Sequence, residues 1–144
     1  MCAYYIESYM EKNTGYILWR VANCWNRKIE KGLSPLNISQ VQFILMAGLD
    51  RFSQNKCYVR QQDLSKYCRT DINVTSQALR KLESKGMVER IYRKGNNKSR
   101  YPILTDLGKA TLVKAHEISK TSHKEFFKEN NSQLNQALAS ILQP

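Results

Sequence analysis

The chain has 144 residues and is 42% hydrophobic, enough for one sizeable core, and its 23 lysines and arginines against 12 acids give a formal charge of +11, which calls for a polyanionic partner. No apolar run approaches the roughly 20 residues needed to cross a bilayer, and nucleic acid leads over an anionic membrane because the positives are concentrated locally. The first residues lack a secretory signal and the four cysteines (Cys2, Cys24, Cys57, Cys68) show no Cys-x-x-Cys spacing, so a cytoplasmic protein with free thiols, no metal and no cofactor is expected.

Tyr4, Ile6, Tyr9 and Met10 predict a short aromatic-rich helical element. A stronger helix is predicted from Thr14, with Leu18, Val21, Ala22, Trp25 and Ile29 on one face and Gly32 as its end. Leu33 to Asn37 is then a connector, because Pro35 disfavours helical geometry at Ser34. Ser39 reads as the N-cap of a helix bearing Phe43, Ile44, Met46, Ala47 and Leu49, apolar over most of its circumference and hence central to the core. Cys57-Tyr58-Val59 is expected to be an edge strand pairing with a later hairpin.

The segment from Gln61 to Thr105 carries the most information. Leu64 and Cys68 are one turn apart, and Ile72, Thr75, Leu79 and Leu82 repeat at helical spacing up to a stop at Gly86. Met87 to Arg93 and Ser99 to Leu104 read as two strands around the turn residues Lys94 to Lys98. Helix, turn, helix and basic hairpin in that order describe a winged helix-turn-helix. Between Arg80 and Arg100 stand eight basic residues and two acids, more than half of the chain's formal excess. Asn73, Ser76, Gln77, Arg80 and Ser84 lie opposite the apolar stripe, where a helix in the major groove would present them to base edges. Lys94, Asn97, Lys98 and Arg100 sit where a wing follows the phosphate backbone. Arg90 and Arg93 are expected only to face solvent or to pair with Glu89 or Asp106.

After the hairpin, Thr105 opens a long helix with Leu112, Ala115, His116, Ser119, His123 and Phe126 or Phe127 at helical intervals, and Leu134, Leu138, Ile141 and Leu142 form a last amphipathic helix. Apolar helices at both ends of a basic chain are explained by burial against a second copy. The expected architecture is mainly α with a small β wing. Residues 1–36 supply N-terminal dimerisation helices, 37–104 the winged helix-turn-helix, and 105–144 C-terminal dimerisation helices, in one folding unit.

Three segments carry a family resemblance: Ile38-Ser39-Gln40-Val41-Gln42-Phe43, Leu82-Glu83-Ser84-Lys85-Gly86-Met87-Val88-Glu89-Arg90, and Leu104-Thr105-Asp106-Leu107-Gly108. With them, the chain from about Gly15 to Phe127 resembles winged helix-turn-helix regulators of the multiple antibiotic resistance (MarR) type. The resemblance implies an obligate homodimer of triangular shape, DNA-reading lobes at two corners, and often a small-ligand or redox-sensing pocket between lobe and dimer domain. Three departures concern groove contacts: Asn96-Asn97-Lys98 stands where the family has Asp-x-Arg, Ser76-Gln77 where it has Thr-Arg, and Arg60 where it has Ser or Thr.

Tyr16, Trp19, Phe43 and Trp25 could line a site for an apolar effector, although aromatic residues at helical spacing usually belong to a core. Cys24 is the candidate redox residue because peroxide-sensing relatives use a cysteine near their first helix. Its place between Val21, Ala22 and Trp25 instead predicts an ordinary buried thiol. His116 and His123 are two turns apart, but without a third ligand they do not make a zinc site. The expected function is a dimeric repressor on a pseudo-palindromic operator, released by a small ligand or an oxidant. An interaction module of a replication or recombination complex is the alternative. A DNA-repair methyl acceptor is excluded because no cysteine has a histidine within ten residues.

Overall fold

The computed structural model describes residues 12–127 and 131–142. In chain order they form α1 (Thr14–Leu33), a 3-10 turn (Ser34–Leu36), α2 (Gln40–Gln54), α3 (Gln61–Cys68), α4 (Ile72–Ser84), β1 (Val88–Arg93), β2 (Asn96–Leu104), α5 (Asp106–Phe127) and α6 (Ser132–Leu142). This is the expected mainly helical fold with a two-stranded wing. Two compact units can be distinguished, one running from Leu33 to Ile118 and the other made of α1 up to Gly32 with the described residues from Ser119 onward. The aromatic element expected around Tyr4 to Met10 lies outside the described residues.

In the first unit, α2 starts where its sequence says it should. Gln42 N–H donates to Ser39 Oγ at 3.2 Å and Ser39 N–H donates to Gln42 Oε1 at 3.0 Å, a reciprocal capping box. The same Gln42 oxygen accepts from Lys85 Nζ at 3.1 Å, and that ammonium also donates to the Asn37 carbonyl, so the start of α2 is tied to the end of α4. Burial, and after it the charge of Lys81, hold Lys85 below the usual lysine range. Leu45, Met46 and Leu49 of α2 are buried, as are Leu64 of α3 and Leu79 and Leu82 of α4. Full burial of such side chains contributes about 1.5–3 kcal/mol each.

The turn between α3 and α4 is held by hydroxyls rather than by apolar packing. Ser65 Oγ donates to the Thr70 carbonyl at 2.8 Å, Thr70 N–H donates to the Ser65 carbonyl at 3.0 Å, and the Thr70 and Thr75 hydroxyls lie 2.7 Å apart. Thr75 also donates to the Asp71 carbonyl at 2.9 Å. Ser65 and Thr75 are buried, so each must find such partners.

The wing strands are antiparallel, with Val88 opposite Leu104 and Tyr92 opposite Arg100, and the register breaks between Tyr92 and Arg93. Among the described residues they form the whole sheet. The expected edge strand at Cys57-Tyr58-Val59 is absent. Lys56 takes a left-handed φ of 54° at the end of α2 and Arg60 already caps α3, so the residues between are used in turning. Val59 is buried and the Tyr58 ring packs on Tyr101 at 5.8 Å instead. Another difference is small: α1 passes through Gly32 to Leu33, whose side chain is fully buried and favours one more helical residue.

In the other unit Trp25 is the centre of an aromatic cluster, 5.5 Å from Phe126, 5.4 Å from Phe127 and 6.3 Å from His123 between ring centroids. Lys28 pairs with Glu125 nearby. Helix α6 buries none of its residues. Between it and α1 runs an apolar groove of about 850 Å³ lined by Ile17, Leu18, Val21, Trp25, Leu134 and Leu138.

One junction joins α4, the wing and α5. Gly86 leaves α4 with φ of 70°, and Met87 N–H returns to the Leu82 carbonyl at 3.0 Å. Thr105 then donates from Oγ1 to the Gly86 carbonyl at 2.6 Å and from its N–H to the Met87 carbonyl at 3.1 Å, while Gly108 N–H donates to Thr105 Oγ1 at 3.1 Å. A Cβ on Gly108 would stand 2.0 Å from the Met87 oxygen. Gly108→Ala is therefore expected to lower stability by about 3 kcal/mol or more, because backbone has to move. Gly95→Ala meets nothing within 4 Å and has only its φ of 84° to overcome, a cost of about 1 kcal/mol. Urea denaturation of the two variants gives the comparison, and equal midpoints would show that the junction is not a steric constraint.

Candidate nucleic-acid interface

Helix α4 is anchored at its start by Asp71, whose Oδ1 accepts from the N–H groups of Asn73 at 2.7 Å and Val74 at 3.2 Å. Thr75, Ala78, Leu79 and Leu82 face inward. Asn73, Gln77, Arg80 and Ser84 are exposed and Ser76 is half-buried, so the predicted polar face stands on the outside of the helix. The side chains of Asn73, Gln77 and Arg80 make no hydrogen bond or ion pair with the described residues. Ile72 departs from the predicted apolar stripe. As the first residue of the helix it precedes the part that meets the core, and it is 41% exposed. Val74 and Lys81, which the sequence reading did not single out, are also exposed. They are seven residues apart and share a face with Gln77 between them, a relation that helical geometry alone could have disclosed.

On the wing, Arg100 is exposed and held by Tyr92, the residue opposite it in the register. Its Nε donates to the Tyr92 hydroxyl at 2.9 Å and its guanidinium lies 5.0 Å from the centre of that ring. Lys94 is exposed beside Gly95 at the tip, and Asn97 and Lys98 fall at the start of β2. Arg90 belongs to the scaffold. Its Nε donates to Glu83 at 2.9 Å and its Nη2 to Gln61 at 3.0 Å, so it ties the wing to α4 and α3, and the expected partners Glu89 and Asp106 are not used. At the N-cap of α3, Arg60 pairs with Asp63 at 2.9 Å, and that hydrogen bond raises its pKa.

The proposed effector residues divide between the units. Tyr16 and Trp19 stack on α1 with centroids 6.1 Å apart, and the Arg20 guanidinium lies 5.8 Å from the Tyr16 ring. They border a hollow of about 530 Å³ with Asn23, Cys24 and Arg27. Phe43 is in the other unit, where its ring meets His116 edge-on at 5.3 Å. Cys24 is exposed, not buried as its neighbours suggested: Trp25 takes the inner side of α1, and the next residue back is turned by about 100° from it. Arg27 donates to its sulfur at 3.6 Å. Cys57 is exposed, while Cys68 is half-buried and burial pushes its thiol up. Both histidines are exposed, and no group of three or more metal-ligating side chains occurs among the described residues.

No protein-family model matches the sequence. An uncharacterized HTH-type transcriptional regulator of Bacillus subtilis (strain 168), YdcH, is 28% identical over 113 residues, which cover 78% of this chain and 77% of that protein. Among solved structures, CouR from Rhodococcus jostii RHA1 bound to p-coumaroyl-CoA superimposes with a TM-score of 0.78 at 16% identity, covering 92% of this chain and 91% of CouR. A MarR mutant from E.coli complexed with operator DNA gives a TM-score of 0.73 at 24% identity over 89% of each chain. The chain shares with these structures the winged helix-turn-helix fold of MarR.

Proposed function

We propose that this chain is a cytoplasmic transcription regulator that binds a pseudo-palindromic operator as a homodimer and represses by occupying it. The observation that carries this reading is the outer face of α4. Asn73, Gln77 and Arg80 are held on a capped helix, engage no described residue through their side chains, and adjoin a basic wing. Glutamine suits adenine and arginine suits guanine through paired hydrogen bonds in the major groove, and Asn73 and Ser76 can add single bonds. Lys94, Asn97, Lys98 and Arg100 would follow the phosphates, supplying affinity without reading sequence. No residue has to do chemistry.

In this reading residues 37–104 meet DNA, and residues 1–36 and 105–144 join two copies. Exposed Ile17, Leu18, Val21, Leu134, Leu138, Ile141 and Leu142, with the groove between α1 and α6, supply more apolar surface than a monomer usually leaves to water. The hollow at Tyr16 and Trp19 is the candidate effector site. Stacked rings with Arg20 and Arg27 beside them suit an aromatic anion, a chemistry compatible with the acyl-CoA bound by CouR. Exposed Cys24 offers an oxidant a second route to the same helix.

Selection of bound fragments from random duplexes, followed by footprinting, tests the central claim. Inverted half-sites centred about one helical turn apart, roughly 10–10.5 base pairs, are expected. Insertion of about five base pairs between them rotates one half-site by half a turn and should abolish cooperative binding. The absence of any discrete protected sequence would point to an interaction module instead.

The two parts of the interface should fail differently. Arg100→Ala is expected to weaken binding to all duplexes alike and to reduce the salt slope by about 0.9 per lost phosphate contact. Gln77→Ala and Arg80→Ala should each cost about 1–3 kcal/mol at particular base positions and relax the preference there. Binding titrations against a panel of operator variants separate the outcomes. An unchanged ranking of variants in both α4 substitutions would remove that helix from the major groove.

A further inference from the structure

Val74 is the third residue of α4 and is 45% exposed. Nothing in the fold asks for a valine there. A β-branched side chain lowers helix propensity, and this one gains little burial in return. It does not border the core either, since the inward residues are Thr75, Ala78, Leu79 and Leu82. One turn further along its own face stands Gln77, and two turns along stands Lys81. Asn73 precedes it, so on this arc of the helix an apolar side chain stands among polar and basic ones, whereas Ile72, also exposed, is turned by about 200° away from it.

An isolated exposed valine is common on protein surfaces and by itself means little. The position is what matters. The first turn of the second helix in a helix-turn-helix is the part whose side chains reach base edges. Here that turn is rigid, because the Asp71 carboxylate accepts from the Val74 N–H itself as well as from Asn73. A β-branched side chain on a capped turn has essentially one rotamer, so it can be presented to a partner with little further loss of entropy. Among the groups displayed in the major groove, the C5-methyl of thymine is the apolar one, and small aliphatic side chains are its usual contacts.

We infer that Val74 is a specificity residue that packs against the C5-methyl group of a thymine in each half-site, next to the base read by Gln77. This rests on the assignment of α4 to the major groove made above, and it adds an apolar discrimination to the hydrogen-bonding one.

The test uses the full chain and the duplex recovered by selection. Each thymine of the half-site is replaced in turn by deoxyuridine, which keeps every hydrogen-bonding group and lacks only the methyl. At one position the natural sequence is expected to lose about fourfold in affinity per half-site, the worth of one buried methyl-sized group. Val74→Ala should bind the thymine duplex more weakly by a similar factor and no longer distinguish thymine from uracil there. Alanine is the better helix former, so the variant keeps its fold. A selected half-site without thymine, indifference of the natural sequence to every replacement, or undiminished discrimination by Val74→Ala would each overturn the inference while leaving the DNA-reading assignment intact. Absence of any sequence preference in the natural chain would instead overturn that assignment, and the inference with it.

Discussion

The close approach of Gly108 to the Met87 carbonyl is the constraint on which the unit from Leu33 to Ile118 is built. Three hydrogen bonds from Thr105 and Gly108 surround that contact, but each is worth only about 0.5–1.5 kcal/mol net. The strictness is steric, because any side chain at position 108 would occupy the place of a backbone oxygen. The consequence is geometric. The end of α4, the first wing residue and the start of α5 meet within a few ångströms, so the wing cannot be displaced without disturbing the helix beside it. A basic hairpin attached by a loose loop would have to be ordered each time it met a phosphate backbone; one latched at its base has lost most of that freedom already.

The same logic governs α4. Its inner face is fixed by Leu79, Leu82 and the hydroxyl chain through Thr75, Thr70 and Ser65, and no buried side-chain polar atom among the described residues lacks a partner. Its ends are held by Asp71 and by the turn at Gly86. All the interactions that locate the helix are therefore made on one side, which leaves the other side free of structural duty. Arg90 shows the opposite assignment. Although it lies in the most basic stretch of the chain, its guanidinium is used to join β1 to Glu83 and Gln61, and it is only partly exposed.

Features encoded locally were legible in the sequence. Ser39 and Gln42 cap a helix through bonds spanning three residues, and the stripe of Thr75, Leu79 and Leu82 needs only helical periodicity. The polar outer face of α4 follows from the same periodicity, as does the long helix after Thr105. Features that depend on what lies across space were not. The order of residues gives no measure of how much chain the turn at Lys56 consumes, so Cys57-Tyr58-Val59 read as a strand. The partners of Arg90, Glu83 and Gln61, stand on α4 and α3 and are set by how the strand packs on those helices, which the order of residues does not disclose. Cys24 is a matter of rotation: which flank of α1 turns outward is decided by where Trp25 finds Phe126 and Phe127, just over a hundred positions later. Gly108 is a further case, since its place in a short motif was evident but the carbonyl that requires it was not.

Composition and periodicity thus inform on two different physical quantities. The formal charge of +11 concerns the attraction of any polyanion, an interaction that counterions screen and that does not depend on base order. Sequence reading requires groups whose worth changes from one base to the next, and these need not be charged. On α4 the exposed candidates are an asparagine, a glutamine, a valine, an arginine and a lysine in the same arc. The lysine-rich tip of the wing lies outside that arc, on a separate element. In the proposed function, such a separation would let the chain hold DNA strongly through residues that are indifferent to sequence and discriminate through neutral ones whose geometry is fixed by the core. On the proposed function, raising the charge of the outer face of α4 would strengthen binding to every duplex and dilute the difference between them, which gives a physical reason for the most basic segment to be the wing and not α4.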